Sequence, residues 1–89
     1  MRAVITVIGK DRIGIIAGVS TELANARINI LDISQTILQE YFVMIMIVDL
    51  TGTVEDLQAI QHKLDEKGKE LGVQVKMQRE DIFNAMHRV

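Results

Sequence analysis

Residues 42–48 read Phe-Val-Met-Ile-Met-Ile-Val, an unbroken apolar run with no glycine, proline or charge. A strand sends alternate side chains to opposite faces. Phe42, Met44, Met46 and Val48 therefore point one way, and Val43, Ile45 and Ile47 the other. A strand that is apolar on both faces belongs in the middle of a sheet, where both sides can be covered. The run is far too short for the ~20 residues that cross a bilayer as a helix, so the chain must be organised around it as a central strand.

The remaining segments arrange themselves about that strand. Residues 3–8 (Ala-Val-Ile-Thr-Val-Ile) are also β-rich on both faces and form a second central strand. Residues 29–38 and 73–78 are apolar on one face only. Leu31, Ile33, Gln35 and Ile37 oppose Asp32, Ser34 and Thr36; Val73, Val75 and Met77 oppose Gln74, Lys76 and Gln78. Ile16, Val19, Ser20, Leu23 and Ala24 fall at helical spacing and predict a helix over 14–26, with Asp11 placed as its N-cap. Thr53, Val54, Glu55 and Asp56 resemble a capping box, and a second helix follows with Leu57, Ile60 and Leu64 on its apolar stripe and Gly72 ending it. Gln39 and Glu40 make a tight connection without the usual Gly or Asn. Asp81 caps a short terminal helix bearing Ile82, Phe83, Met86 and Val89.

The order is strand-helix-strand-strand-helix-strand. Right-handed crossovers put both helices on one sheet face. The fold class is therefore α+β: a ferredoxin-like βαββαβ sandwich, plus a short C-terminal helix. Placing the two-faced strands centrally gives the antiparallel order 2-3-1-4. Two helices cover one face, so one of the two apolar sets on strand three is left over. Such a surplus marks an interface. The expectation is a homodimer that covers the open sheet face; the competing expectation is that the terminal helix folds back over it through Phe83 and Met86.

Composition narrows the function. The 89 residues are 48% hydrophobic and 25% charged, which suits one globular domain. A net charge of −2 and only three aromatics (Tyr41, Phe42, Phe83) speak against nucleic acid and anionic membrane as partners. With no cysteine there is no disulfide, thiolate nucleophile or cysteine-ligated metal. No secretory pattern opens the chain, so a cytoplasmic protein is the expectation. His62 and His87 show no metal-ligand spacing, and no Ser/His/Asp set or glycine-rich phosphate loop is present. The residues point to no enzyme, no catalytic residue, no metal and no cofactor.

One constellation does suggest chemistry. Ile8-Gly9-Lys10-Asp11-Arg12-Ile13-Gly14-Ile15 carries a strand end into a helix start, and Asn29-Ile30 opens the next strand. A helix N-terminus offers unpaired N–H groups, and a glycine there admits a ligand to the backbone. With Asn29 these groups read as an anion-friendly niche for a small carboxylate.

The stretch from Gly9 through Ser20, with Asn29-Ile30-Leu31-Asp32-Ile33-Ser34-Gln35-Thr36, resembles an ACT domain, and most of all the free-standing single-module proteins of that family. It is also similar to the ACT module of formyltetrahydrofolate deformylases and of the glycine-cleavage regulator. The resemblance spans residues 1–80 as the domain, and Ile82-Phe83-Asn84-Ala85-Met86 within 81–89 looks like the ending of the free-standing proteins. It implies a non-enzymatic regulatory module that binds a small amino acid at a homodimer interface and acts on a partner protein. The alternative is an interaction or assembly module with no small-molecule effector. In such modules the effector lies between two copies, against the loop after strand one and the start of strand two. Carried over, that implies Asp11, Arg12, Ile13, Gly14 and Ile15, with Asn29, Ile30 and Leu31. Gly14 and Ile15 N–H groups would take the ligand carboxylate, Asn29 or Asp11 its amine, and Arg12 a second carboxylate contact. Many family members have Pro in place of Ile13 and Gly in place of Arg27.

Overall fold

The structure is a computed structural model. It describes residues 1–86, with the side chains of Phe83, Ala85 and Met86 outside the description. The expectations resting on Phe83, Met86, His87 and Val89 therefore lie outside the described residues. The elements are β1 (Arg2–Lys10), α1 (Ile15–Asn25), β2 (Asn29–Leu38), β3 (Tyr41–Asp49), α2 (Leu57–Leu71), β4 (Val73–Arg79) and α3 (Glu80–Met86). The sheet runs β2-β3-β1-β4 with every neighbouring pair antiparallel, as the two-faced strands predict.

Register settles which face of β3 is inside. Phe42, Met44, Met46 and Val48 are buried with Ala3, Ile5 and Val7 of β1 and with Val73 and Val75 of β4. Ile15, Val19 and Leu23 of α1 and Ile60 and Leu64 of α2 close this core from the helix side. The other β3 set, Val43, Ile45 and Ile47, pairs with Ile8, Thr6 and Val4 on the open face. The rims of that face are polar: Asp32, Ser34 and Thr36 on β2, and Gln74, Lys76 and Gln78 on β4. The open face thus carries a narrow apolar stripe between two hydrophilic margins.

Several boundaries differ from expectation. α1 starts at Ile15, and its buried stripe is Ile15, Val19 and Leu23, while Ile16 is exposed. Val19 and Leu23 hold their expected places and Ile15 takes that of Ile16, just after Gly14 (φ 94°) turns the chain into the helix. Asp11 lies too far upstream to cap it, and no side chain caps α1. α2 is capped by Asp56, whose carboxylate accepts from the Ala59 amide at 2.7 Å, rather than by Thr53. It ends as expected at Gly72 (φ 75°). Arg27 (φ 61°) and Gln39 (φ 57°) take the left-handed turn that glycine or asparagine usually supplies.

The helices cover the sheet unequally. α2 lies along β4, and its Gly68 approaches so closely that a Cβ there would stand 2.6 Å from the Val73 carbonyl oxygen. α1 packs chiefly on α2 and barely reaches β2. Every β2 residue except Ile30 is exposed. Ile33 faces the helix layer, paired with fully buried Met46, and still remains 42% exposed. α3 packs against β1 and β4, where Arg2 pairs with Glu80.

Candidate functional site

The loop between β1 and α1 is held by its backbone and by one arginine. The Asp11 amide donates to the Glu40 carbonyl at 2.9 Å, tying the loop to the turn between β2 and β3. The Arg12 guanidinium donates to the Leu71 carbonyl at 3.2 Å, at the C-terminal end of α2 where carbonyls concentrate partial negative charge. Arg12 is thus engaged with the fold rather than extended toward the niche. Ile13 is 98% exposed at the loop tip.

Gly14 then opens α1. The first intrahelical bond runs from the Gly18 amide to the Gly14 carbonyl at 2.8 Å. The amides of Ile15, Ile16 and Ala17 precede it, and with no side-chain cap they present an uncovered set of donors at a positive dipole end. The Ile15 side chain is buried in the core, so this residue has only its backbone to offer a ligand.

Asn29, Ile30 and Leu31 stand elsewhere. Asn29 pairs with Asp49, which in turn pairs with Arg2 at the start of β1. The loop follows Lys10, which pairs with Tyr41, itself opposite Leu38 at the far end of β2. At 3.3 Å per residue the two ends of the sheet are about 25 Å apart. One chain therefore does not bring the loop and the β2 start together. The physical reason is topological: α1 runs back along the sheet, so β2 begins at the end where β1 began. A bulge interrupts the β2–β3 ladder between Ile30 and Asp32, leaving Leu31 as an extra residue, 46% exposed.

Register also adds a residue that the sequence reading passed over. Asp49 lies beside Asn29 on the open face. Its carboxylate accepts from the Thr51 hydroxyl at 2.6 Å and the Thr51 amide at 3.0 Å. These two bonds, the hydroxyl first, hold its carboxyl below the ordinary aspartate range. The pattern Asp49-Leu50-Thr51-Gly52 was the available signal, since aspartate two residues before a donor commonly closes such a turn.

Two clefts, of about 470 and 440 Å³, run along β4 and are not lined by residues 11–15 or 29–31. Among the described residues no three His, Cys, Asp or Glu side chains are grouped to hold a metal, and His62 is exposed on α2. No helix among them is long and apolar enough to cross a membrane.

A four-stranded βαββαβ sandwich of this order, with an uncapped first helix behind a short glycine loop, is the architecture of the ACT modules among others. The ACT domain model matches residues 2–78, and the chain belongs to that family. A UPF0237 protein of Clostridium acetobutylicum is 63% identical over 89 residues, covering all of both chains. An ACT domain protein from Streptococcus pneumoniae superposes with a TM-score of 0.83 at 42% identity, covering 98% of each chain. A formyltetrahydrofolate deformylase from Pseudomonas putida superposes with a TM-score of 0.82 over 91% of this chain and 29% of its own, but at 12% identity it shares the fold alone.

Proposed function

We propose that this chain is a non-enzymatic regulatory module in which two copies pair along β2 and hold a small amino acid between them. The observation that carries the reading is the separation of the two half-sites. Antiparallel pairing of β2 with its own copy sets the Asn29 end of one strand beside the Leu38 end of the other. That is the end at which the loop of residues 11–14 stands. Each of two equivalent sites then joins one copy's Ile15 and Ile16 amides, for the ligand carboxylate, to Asn29 of the partner subunit, for its amine.

The edge itself supports this placement over a dimer across the open face. β2 offers a long exposed rim with Leu31, Ile33, Ile37 and Leu38 between 42% and 67% exposed and with Asp32 as its one charged residue. An uncovered apolar edge of this kind is a liability unless something pairs with it. The stripe of Ile8, Val43, Ile45 and Ile47 then remains for a partner protein. Signalling follows from linkage: an effector that bridges two copies favours the arrangement in which both half-sites meet.

Titration calorimetry with each common amino acid, beside sedimentation of the same sample, tests the reading. Binding by an intact dimer, weakened roughly tenfold by Asn29→Ala through loss of one hydrogen bond, is the expected result. An intact dimer that gives no heat with any amino acid overturns sensing and favours an assembly module without effector. A well-folded monomer overturns the shared site altogether.

A further inference from the structure

The opposite rim of the sheet is treated differently. Gln61, on the flank of α2, turns its carboxamide onto the outer edge of β4. Its Nε2 donates to the Val75 carbonyl at 3.1 Å, and its Oε1 accepts from the Met77 amide at 2.9 Å. Those are outward backbone groups that a further strand would engage: a parallel strand would meet both with one residue, and an antiparallel strand would meet them with two residues, one opposite Val75 and one opposite Met77. The second Nε2 proton goes to Asp65 Oδ1 at 2.7 Å, which fixes the amide the right way round. Gln61 thus occupies two backbone groups that a fifth strand would need. Among the described residues no side chain does this for β2.

We propose that Gln61 is an edge lock that limits sheet growth, so that β4 cannot recruit a second copy. The partner excluded is the β4 edge of another molecule of this chain, approached antiparallel. The consequence depends on the pairing proposed for β2, on which this inference partly rests. With β2 paired and β4 locked, assembly closes at two copies. With both rims open, two-fold contacts alternate along a line and produce an unending ribbon.

The test uses the full chain with Gln61→Ala and Gln61→Lys. Alanine suits a helix interior, so the fold should hold, which circular dichroism checks. Both variants remove the carboxamide. Hydrogen exchange at the Met77 amide should accelerate roughly tenfold in each, the cost of one lost hydrogen bond. Sedimentation should separate them: Gln61→Ala grows in size with concentration, whereas Gln61→Lys keeps the wild-type size because a charge guards the bare edge. Asp65→Ala, which leaves Gln61 in place but frees its amide, should show the same changes at smaller amplitude and keeps the test alive if Gln61→Ala is unstable. Unchanged size for both Gln61→Ala and Asp65→Ala, or unchanged exchange at Met77, overturns the lock. The β2 reading fails separately. If the wild type is a monomer and Gln61→Ala stops at a dimer, the lock stands and the β2 pairing does not.

Discussion

The molecule consists of two βαβ halves, β1-α1-β2 and β3-α2-β4, built to the same plan and finished to different standards. In the second half the helix is capped by Asp56, ended by Gly72, pressed onto its strand at Gly68, and tied to the strand's outer edge by Gln61. In the first half the helix has no side-chain cap, barely touches β2, and leaves that strand exposed along its length. The second half meets some of its own end and edge groups, at Ala59, Val75 and Met77. The first leaves the amides of Ile15 to Ala17 without a side-chain cap and β2 as a bare edge of the sheet. The contrast teaches that the unfinished half, rather than the cleft-bearing one, is where the proposed ligand and second copy would find unpaired backbone groups.

The contrast is broken most severely at the helical glycines. Gly68→Ala should destabilise the fold by about 2 to 3 kcal/mol, because its Cβ would meet the Val73 carbonyl, which cannot rotate away. Gly18→Ala, the counterpart in α1, would press on the Leu71 Cδ1 at 2.8 Å, the far end of a flexible side chain, and otherwise meet side-chain atoms at an ordinary 3.5 Å. It should stay within about 1 kcal/mol of wild type, since helix propensity gains what repacking loses. Urea unfolding of both variants measures the difference, and equal losses would erase the distinction between the halves.

The helix starts give a middling effect. Asp56→Ala should cost about 1 kcal/mol through loss of the cap on the Ala59 amide. Asp11→Ala should change stability by less than about 0.5 kcal/mol, because Asp11 caps nothing. Thermal unfolding of the two variants, compared at Tm, checks this ranking.

The smallest effect is a pH dependence at the joint between β3 and α2. A carboxyl whose folded pKa lies below its unfolded value stabilises the fold above the unfolded value, and that contribution fades as pH falls through the folded one. Asp49 is such a group, held down first by the Thr51 hydroxyl. Thr51→Val should therefore flatten the loss of stability on acidification below about pH 4. An unchanged acid limb would mean that the Thr51 hydroxyl does not govern Asp49.

Much of the fold was legible because period-two alternation in the strands is unambiguous. The apolar faces of residues 3–8 and 42–48 were enough to place β1 and β3 centrally and to order the sheet. What was illegible is instructive. Both faces of β3 are equally apolar, so nothing in its sequence tells the helix side from the open side; only packing against Ile15, Val19 and Leu23 decides it. Asp11 and Asp56 each precede a helix, yet only Asp56 caps one, because Gly14 takes the turn at α1. The candidate site was half legible. Residue types marked the loop and Asn29, but adjacency along the chain suggested nearness where the antiparallel ladder imposes the length of the sheet. Gln61 gave no signal at all, being one polar residue among many on an exposed helix flank.

Two bonds at the loop carry a mechanical consequence. Asp11 is pinned to the hairpin tip at Glu40, and Arg12 to the tail of α2 at Leu71. Three stretches remote in sequence are thereby knotted at one corner of the molecule. A displacement of the loop would therefore be felt directly at the hairpin tip and at the helix tail, with no relay through the core.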